Sequence, residues 1–276
     1  MGQIDGRVAF ITGAGRGQGR SHAVRLAAEG ADIVAVDICQ DIDEVSYPMA
    51  SADDLAETAA LVEKEGRRVI AREADVRDFG QLKAAADEAI SEFGRIDIVV
   101  ANAGVAGMIM DFSDEDVLAR TWDEVIGVNL TGVWNTVRAT VPAMIDGGRG
   151  GSIILTSSTA GLKGLGARGQ IGNEAYGASK HGVVGLMRSF ANSLAHHSIR
   201  VNSIHPTGVR TMMIENEAME HFLAAFPDAV SSLTNSLPVE VLEANDISDA
   251  VVFLASDAAK FITGVTLPVD AGFTAK

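Results

Sequence analysis

The chain of 276 residues is long enough to bury the core of one large α/β domain or two small ones. Its 37 acidic residues against 22 basic ones give a formal net charge of −15, which argues against nucleic acid and anionic membranes as partners. Its single cysteine, Cys39, excludes an internal disulfide, and we see neither a signal core nor a bilayer-length apolar run, so a cytoplasmic protein is expected.

Short β-branched runs alternate with longer amphipathic segments. The first part predicts, in chain order, a strand RVAFIT, a helix GQGRSHAVRLAAEG, a strand DIVAVD, a helix DDLAETAALVEKEG, a strand RVIAREAD, a helix FGQLKAAADEAISEFG and a strand IDIVVANAG. A long helix over about 121–144 follows, then a strand GSIILTSS, a helix that contains Tyr176, and strands IRVNSIHP and VTLPVDAG. Because the strands are near-continuous apolar runs, they predict a parallel sheet with helices on both sides.

No repeat or linker divides the chain, so residues 1–276 are predicted to form a single domain of the α/β class. Three connections are longer than ordinary, namely 38–52, 159–174 and 207–245. Each follows the carboxyl end of a strand, where such sheets build their ligand sites. The first is an insert, and the third is expected to cover the substrate. It contains four apolar residues at helical spacing that serve either as packing or as a lid: Met219, Phe222, Leu223 and Phe226.

The residues TGAGRGQG (12–19) follow the first strand and open the first helix, which is the context of a dinucleotide-binding loop. Gly13 permits a tight turn, Gly17 allows a pyrophosphate to approach the backbone, and Gly19 allows the helix to pack closely on the strand. The start of the helix offers N–H groups and a partial positive charge to phosphates. The pattern predicts a Rossmann fold, with a doubly wound parallel sheet of about seven strands.

Asp37 ends the second strand, where an acid accepts hydrogen bonds from both ribose hydroxyls and repels a 2′-phosphate. This position favours NAD over NADP. Arg16 is evidence for NADP, since its guanidinium could contact a 2′-phosphate. The alternative is that Arg16 is a surface arginine at the start of a helix. The acid occupies the position closer to the ribose, and NAD is therefore the predicted cofactor.

The segment AYGASK places Tyr176 and Lys180 four residues apart on a predicted helix, and therefore on one helix face. A free tyrosine and a free lysine both keep their protons to about pH 10 and are poor acid–base catalysts at neutral pH. A neighbouring ammonium favours phenolate and lowers the pKa of the tyrosine. The pair is either an accident of the helix face or a catalytic acid–base, and the other motifs favour catalysis.

These motifs together resemble those of the short-chain dehydrogenase/reductase family, over essentially the whole chain. The resemblance rests on the glycine loop and on Asp75-Val76, ANAG (101–104), VNLTG (128–132), LTSSTAG (155–161), YGASK (176–180) and HPTGVRT (205–211). The chain departs from the family pattern in a longer stretch between Ser158 and Tyr176, in Ala101, in Thr207 inserted after Pro206, and in VDAG instead of VDGG. These departures leave the shape of the substrate pocket open.

The resemblance implies four catalytic residues: Asn129, Ser158, Tyr176 and Lys180. Tyr176 would be the general base for alcohol oxidation, Ser158, in preference to Ser157, would hold the substrate oxygen, and Asn129 would hold a water that relays the proton. His205, at a strand end beside this site, is interpreted as a packing residue in preference to a catalytic one. No metal is predicted, and the implied NAD-binding residues are Gly13, Arg16, Gly17, Gln18, Gly19, Asp37, Asp75, Val76, Asn102, Ala103, Gly104, Asn129, Thr156, Tyr176, Lys180, Pro206, Val209 and Thr211.

The insert DICQDIDEVSYPMASADDL resembles that of a narrower group, the mycofactocin-associated dehydrogenases that include carveol dehydrogenases. This resemblance implies a small hydrophobic alcohol or ketone of terpenoid type as substrate, NAD that stays bound beneath 38–52, and a separate redox carrier, mycofactocin. The family resemblance implies a homotetramer. The alternatives are an ordinary alcohol dehydrogenase that exchanges NAD, a non-catalytic NAD-binding protein, and a sugar-nucleotide epimerase or dehydratase, which the glycine spacing disfavours.

Overall fold

The computed structural model describes residues 2–107, 113–164, 174–225 and 234–276. Within these residues, seven parallel strands form one sheet in the order β3-β2-β1-β4-β5-β6-β7. The predicted single α/β domain with a doubly wound Rossmann sheet is confirmed. The strands are β1 (Val8–Thr12), β2 (Asp32–Asp37), β3 (Val69–Glu73), β4 (Ile98–Ala101), β5 (Gly151–Thr156), β6 (Ile199–Pro206) and β7 (Thr266–Val269).

Helices cover both faces of the sheet. In the described residues they are α1 (Gly17–Ala28), α2 (Ala52–Lys64), α3 (Phe79–Phe93), α4 (Glu115–Ile126), α5 (Gly132–Gly147), α6 (Glu174–Leu194), α7 (Glu217–Ala225) and α8 (Ala244–Ala255). The order of the connections reverses between β1 and β4. In an open α/β sheet, the crevice at the carboxyl ends of the strands at such a reversal is where ligands bind.

The central strands are buried on both faces, which explains their continuous apolar sequences. In β1, Val8 and Phe10 pack in one core layer, and Ala9 and Ile11 pack in the other, because successive side chains point to opposite faces. The first layer includes side chains from α3, α5 and α6, and the second includes side chains from α1, α2 and α8. Two apolar layers hold the strands in place, so the loops at the strand ends are presented on a rigid support.

The helix predicted over about 121–144 is longer in the structure and is not uniform. α4, a π-helical turn (Gly127–Thr131) and α5 form one continuous run. The Asp114 side chain caps this run by accepting the N–H groups of Asp116 and Val117, a start signal that the apolar pattern alone does not reveal. α8 lies outside the predicted helices, although Asp246 caps its start by accepting the Glu243 N–H at 2.9 Å.

The predicted lid segment is described only in part. α7 carries Met219 and Leu223, which are half-buried. Phe226 and the side chain of Phe222 lie outside the described residues. Across 2–107, 113–164, 174–225 and 234–276, no helix combines the length and the apolar character needed to cross a membrane.

Candidate active site

The glycine loop joins β1 to α1 and lies against the segment after β4. Gly13 has a positive φ of 66°, and a Cβ there would lie 2.8 Å from Cα of Ala103. A Cβ on Gly19 would lie 1.9 Å from the carbonyl oxygen of Gly13. Side chains at these two positions would force the loop apart, whereas the bare backbone leaves space for a pyrophosphate at the start of α1.

Asp37 ends β2 with its carboxylate turned to the glycine loop. One carboxylate oxygen accepts the Gly15 N–H at 2.8 Å, and the other accepts the Cys39 N–H at 3.3 Å. These bonds fix the buried carboxylate, and its remaining lone pairs can accept ribose hydroxyls. The guanidinium of Arg16 donates to the Pro48 carbonyl, so this arginine ties the glycine loop to the insert.

A cleft of about 400 Å³ opens at the carboxyl ends of the strands. It is lined by most of the predicted cofactor residues, namely Gly13, Arg16, Gly17, Gln18, Gly19, Asp37, Asp75, Val76, Asn102, Ala103, Gly104 and Thr211. Its wall does not include Asn129, Thr156, Tyr176, Lys180, Pro206 or Val209. The lining residues that sequence reasoning missed include four that lie within HPTGVRT or within four residues after it: Arg210, Met212, Met213 and Glu215. A cleft with these walls fits a dinucleotide.

The insert 38–52 packs along this cleft and is not a solvated loop. Ile42 and Tyr47 are buried, and Val45 and Met49 pack half-buried against the core. The Tyr47 hydroxyl accepts the Ala106 N–H, in the segment after β4, at 3.1 Å. Desolvation raises the pKa of Tyr47 to about 12.

A surface ion pair adds a further attachment of the insert. Glu44 lies 2.7 Å from Nε of Arg120 in α4. The insert is therefore attached to the glycine loop, to the segment after β4 and to α4.

Asp75 and Val76 lie after β3 at another end of the cleft. The Asp75 carboxylate accepts the Arg77 N–H at 2.8 Å and Nη2 of Arg77 at 2.6 Å. Arg77 also pairs with Glu124 in α4. An adenine amino group that binds Asp75 must therefore share the carboxylate with Arg77.

Asn129 lies in the π-helical turn, fully buried. Its Oδ1 accepts the Val105 N–H at 2.8 Å, and its Nδ2 donates to the Val105 carbonyl at 2.8 Å. A Cβ on Gly104 would lie 3.3 Å from Nζ of Lys180 and 3.4 Å from Oδ1 of Asn129. Asn129, Lys180 and the lining residue Gly104 therefore meet at one place, where the cleft reaches the predicted catalytic group.

The two serines after β5 have different partners. The Ser157 hydroxyl is buried and donates to the Lys180 carbonyl at 2.9 Å. The Ser158 hydroxyl accepts the Ala160 N–H at 3.1 Å, and its side chain favours the ionised form of Tyr176 and so lowers the pKa of that tyrosine. Ser158 therefore has the geometry to hold a substrate oxygen beside Tyr176, and Ser157 is committed to packing.

Tyr176 and Lys180 share one face of α6. Nζ of Lys180 lies 5.5 Å from the centroid of the Tyr176 ring and donates to the Thr156 carbonyl at 3.0 Å. Burial lowers the pKa of Lys180 to about 8. Burial also raises the pKa of Tyr176, and the bond with Ser158 opposes this only in part. The predicted lowering of the Tyr176 pKa is therefore wrong for the protein's own groups, because desolvation of the phenolate dominates.

The segment after β6 closes the cleft on the side of the glycine loop. Pro206 ends β6, and Val209 is buried and pairs with Leu242 in an isolated bridge. The Thr211 hydroxyl donates to the Val209 carbonyl at 3.2 Å, and a Cβ on Gly17 would lie 3.2 Å from Cγ2 of Thr211. Among the described residues, no group of three or more His, Cys, Asp and Glu side chains is arranged to hold a metal ion.

The doubly wound sheet, the glycine loop and the Ser158, Tyr176 and Lys180 group define a dinucleotide-binding oxidoreductase. A family model described as enoyl-(acyl carrier protein) reductase matches residues 13–274. The chain is 50% identical over 286 aligned positions to (-)-trans-carveol dehydrogenase of Rhodococcus erythropolis, with all of both chains covered. The chain belongs to the short-chain dehydrogenase/reductase family.

Two solved structures resemble the chain over the full length of both partners. One is carveol dehydrogenase from Mycobacterium avium in complex with NAD, with 49% identity and a TM-score of 0.92. The other is a short chain dehydrogenase from Mycobacterium paratuberculosis bound to NAD, with 48% identity and a TM-score of 0.91. The fold is thus similar to that of two proteins solved with NAD.

Proposed function

We propose that this chain is an NAD-dependent alcohol dehydrogenase that interconverts a small hydrophobic secondary alcohol, of terpenoid type such as carveol, and its ketone by hydride transfer. The observation that carries the proposal is the meeting of Ser158, Tyr176 and Lys180 beside the dinucleotide cleft. These groups supply a hydrogen-bond donor, a proton carrier and a positive charge. The similarity to a (-)-trans-carveol dehydrogenase supports the substrate class.

The cleft residues would hold the parts of NAD. The glycine loop and the start of α1 would bind the pyrophosphate, and Asp37 would bind the adenosine ribose. Val209 and Thr211, after β6, would bind the nicotinamide half. Bound NAD supplies the acceptor for the hydride of the carbinol carbon.

Ser158 and Tyr176 would bind the substrate oxygen between them. The Ser158 oxygen accepts the Ala160 N–H, and its own proton would be donated to the substrate oxygen. Tyr176 takes the proton of the alcohol during oxidation and returns it to the ketone during reduction. Asn129 would hold the water that carries this proton towards solvent.

Lys180 would stabilise the phenolate form of Tyr176. Because its pKa is about 8, Lys180 keeps most of its charge at neutral pH, and the Thr156 carbonyl fixes its ammonium. Burial opposes phenolate formation, so this charge is needed for Tyr176 to act as a base. Alcohol oxidation is therefore expected to become faster as the pH rises towards 8 and to lose this support at higher pH, where Lys180 loses its charge.

Tyr176→Phe tests this mechanism, because phenylalanine keeps the ring and loses the proton carrier. We expect single-turnover oxidation of carveol to be lost, while NADH binding, followed by its fluorescence, is kept. Tyr47→Phe removes a hydroxyl from the only other tyrosine of the chain, and it is expected to keep single-turnover oxidation while it speeds the release of NAD. Near-normal turnover in Tyr176→Phe would remove Tyr176 from the mechanism.

The finer proposal concerns the exchange of NAD. Three attachments support an insert that covers the cofactor: Arg16 to Pro48, Tyr47 to Ala106, and Glu44 to Arg120. A segment held on several sides must detach before a ligand beneath it can leave. NAD would therefore remain bound and be reoxidised in place by a separate redox carrier such as mycofactocin.

Dialysis and a panel of secondary alcohols separate retained NAD from exchangeable NAD. The purified protein is expected to carry NAD through extensive dialysis and to oxidise alcohol once per site. Further turnover should require an artificial electron acceptor, even with excess free NAD. Steady turnover on free NAD would return the protein to the ordinary dehydrogenases, and no NADH absorbance with any alcohol would favour a non-catalytic NAD-binding protein.

The proposed assembly is a cytoplasmic homotetramer. The family resemblance assigns subunit pairing to the long helices around 121–144 and 176–196 and to the last strand. Exposed large apolar side chains lie on the first of these helices and near the last strand. They include Trp122 in α4, Trp134 in α5, Phe261, which is 90% exposed, and Val265 beside β7. Burial of such side chains against a second copy would remove them from water, which supports self-association.

A further inference from the structure

The geometry points to His205 as a positioning residue for Ser158, which it holds through the Ser158 carbonyl. This inference rests on the proposed role of Ser158 and assigns His205 more than packing. His205 does not touch the substrate oxygen in this scheme. It sets the turn from which the Ser158 hydroxyl reaches that oxygen.

The hydrogen bonds of His205 define its tautomer. The ring is fully buried near the end of β6. Nδ1 lies 2.8 Å from the Ser158 carbonyl oxygen, and Nε2 lies 2.8 Å from the Ser203 hydroxyl. A carbonyl oxygen only accepts, so Nδ1 carries the proton and Nε2 accepts the Ser203 O–H. A neutral imidazole satisfies both ring nitrogens. Burial lowers the pKa of His205, which also favours the neutral ring.

Ser158 depends on this anchor because it lies just beyond β5, in no strand or helix. Its backbone is extended, with φ −167° and ψ 165°, and it caps a short 3₁₀ turn over Thr159–Gly161. Its carbonyl also accepts the Gly161 N–H at 2.9 Å. The Ser158 carbonyl thus accepts two hydrogen bonds, one from Gly161 within the same turn and one from His205 outside the turn. The hydrogen bond from His205 ties the turn to the central sheet.

Loss of the His205 donor would release the Ser158 peptide without removing any group that contacts the substrate. The Ser158 hydroxyl must donate to the substrate oxygen while Tyr176 takes its proton, and this arrangement tolerates little displacement. The effect is therefore expected on the chemical step and not on the binding of NAD, since His205 and Ser158 are not among the predicted NAD contacts.

A pair of amide substitutions separates positioning from packing. In His205→Asn, the side-chain amide lies near the place of Nδ1 and can still donate to the Ser158 carbonyl. In His205→Gln, the amide lies farther out, near Ser203, and this donor is lost. Each variant keeps one half of the hydrogen bonding, so a packing role predicts similar losses in both.

The measurement is the single-turnover rate of NADH formation from carveol, with NADH affinity and thermal stability recorded for each variant. We expect His205→Gln to slow the rate roughly tenfold, as for the loss of one hydrogen bond at a reacting group, with NADH affinity unchanged. His205→Asn is expected to stay within about threefold of the wild-type rate. Equal losses in the two variants would overturn the inference.

Ser158→Ala provides the second arm of the test. If His205 acts through Ser158, His205→Gln should not slow the rate further in a Ser158→Ala background. A further tenfold loss in that background would overturn the inference. Wild-type activity in Ser158→Ala alone would instead overturn the proposed role of Ser158, so the two failures are distinguishable.

Ser203→Ala serves if His205→Gln does not fold. It removes the hydroxyl that donates to Nε2 and leaves the imidazole in place. We expect a fall of about threefold in the wild-type background and none in the Ser158→Ala background. An unchanged rate in the first background, or an equal fall in both, would count against the anchor.

Discussion

Tyr47 is the residue at which the proposed retention of NAD is most directly tested. Its side chain is 5% exposed and lies in the wall of the cleft. Its hydroxyl accepts the Ala106 N–H at 3.1 Å, so the insert is tied to the segment after β4. Tyr47→Phe removes only this bond, and Tyr47→Ala removes the bond together with the buried ring.

The expected magnitudes follow from these contacts. One neutral hydrogen bond contributes about 0.5–1.5 kcal/mol, so Tyr47→Phe should speed NAD release about two- to thirteenfold. Truncation of a fully buried aromatic ring costs about 3–5 kcal/mol in a rigid core, and a loop relaxes to recover part of this. A remaining cost of about 2 kcal/mol in Tyr47→Ala corresponds to release that is roughly thirtyfold faster.

The assay is the decay of fluorescence from bound NADH after mixing with excess NAD. Ser46→Ala is the matched control, since Ser46 is an exposed neighbour in the same insert. It is expected to release NADH at the wild-type rate. If Tyr47→Ala also releases NADH at that rate, the insert does not retain the cofactor and the reasoning is refuted.

Three further outcomes are expected. Asp37→Ala should relax discrimination against NADP, since a carboxylate about 4 Å from a phosphate costs roughly 1–4 kcal/mol; an unchanged ratio of NADP to NAD affinity would show that another group reads the ribose. Lys180 has its pKa lowered from 10.5 to about 8, so the unfolded chain binds more protons between these values. Stability to urea should therefore rise with pH across this window, by up to about 3 kcal/mol relative to Lys180→Met, and equal slopes would contradict the shift. Light scattering at micromolar concentration should give a tetramer that Phe261→Asp weakens, and a monomeric wild-type protein would exclude the assembly.

Local patterns in the sequence were sufficient for the sheet and for much of the wall of the cleft. The glycine loop can be predicted because its positions demand a bare backbone, as the 1.9 Å approach at Gly19 illustrates. Asp37 can be predicted because the apolar strand pattern DIVAVD ends at this acid, and β2 ends there in the structure. The roles of the site residues remain predictions, although the structure brings Ser158, Tyr176 and Lys180 together.

Features that depend on contacts between distant segments were not accessible to the same reasoning. Arg16 has two readings in the sequence, and its bond to Pro48 depends on how the insert folds. The serine pair is ambiguous until the Lys180 carbonyl is seen to occupy Ser157. The predicted lowering of the Tyr176 pKa was wrong, because spacing on a helix indicates a neighbouring charge but not the degree of burial. Burial dominates the pKa of this phenol.

The two tyrosines of the chain show how environment divides one chemical group between two tasks. Burial raises the pKa of both phenols. Tyr47 has a backbone N–H donor at its oxygen, and this bond attaches the insert. Tyr176 interacts with Ser158 and lies beside Lys180, the two other members of the proposed catalytic group. The Tyr47 oxygen is instead committed to a backbone N–H of the segment after β4, and for this reason we propose Tyr176, and not Tyr47, as the acid–base residue.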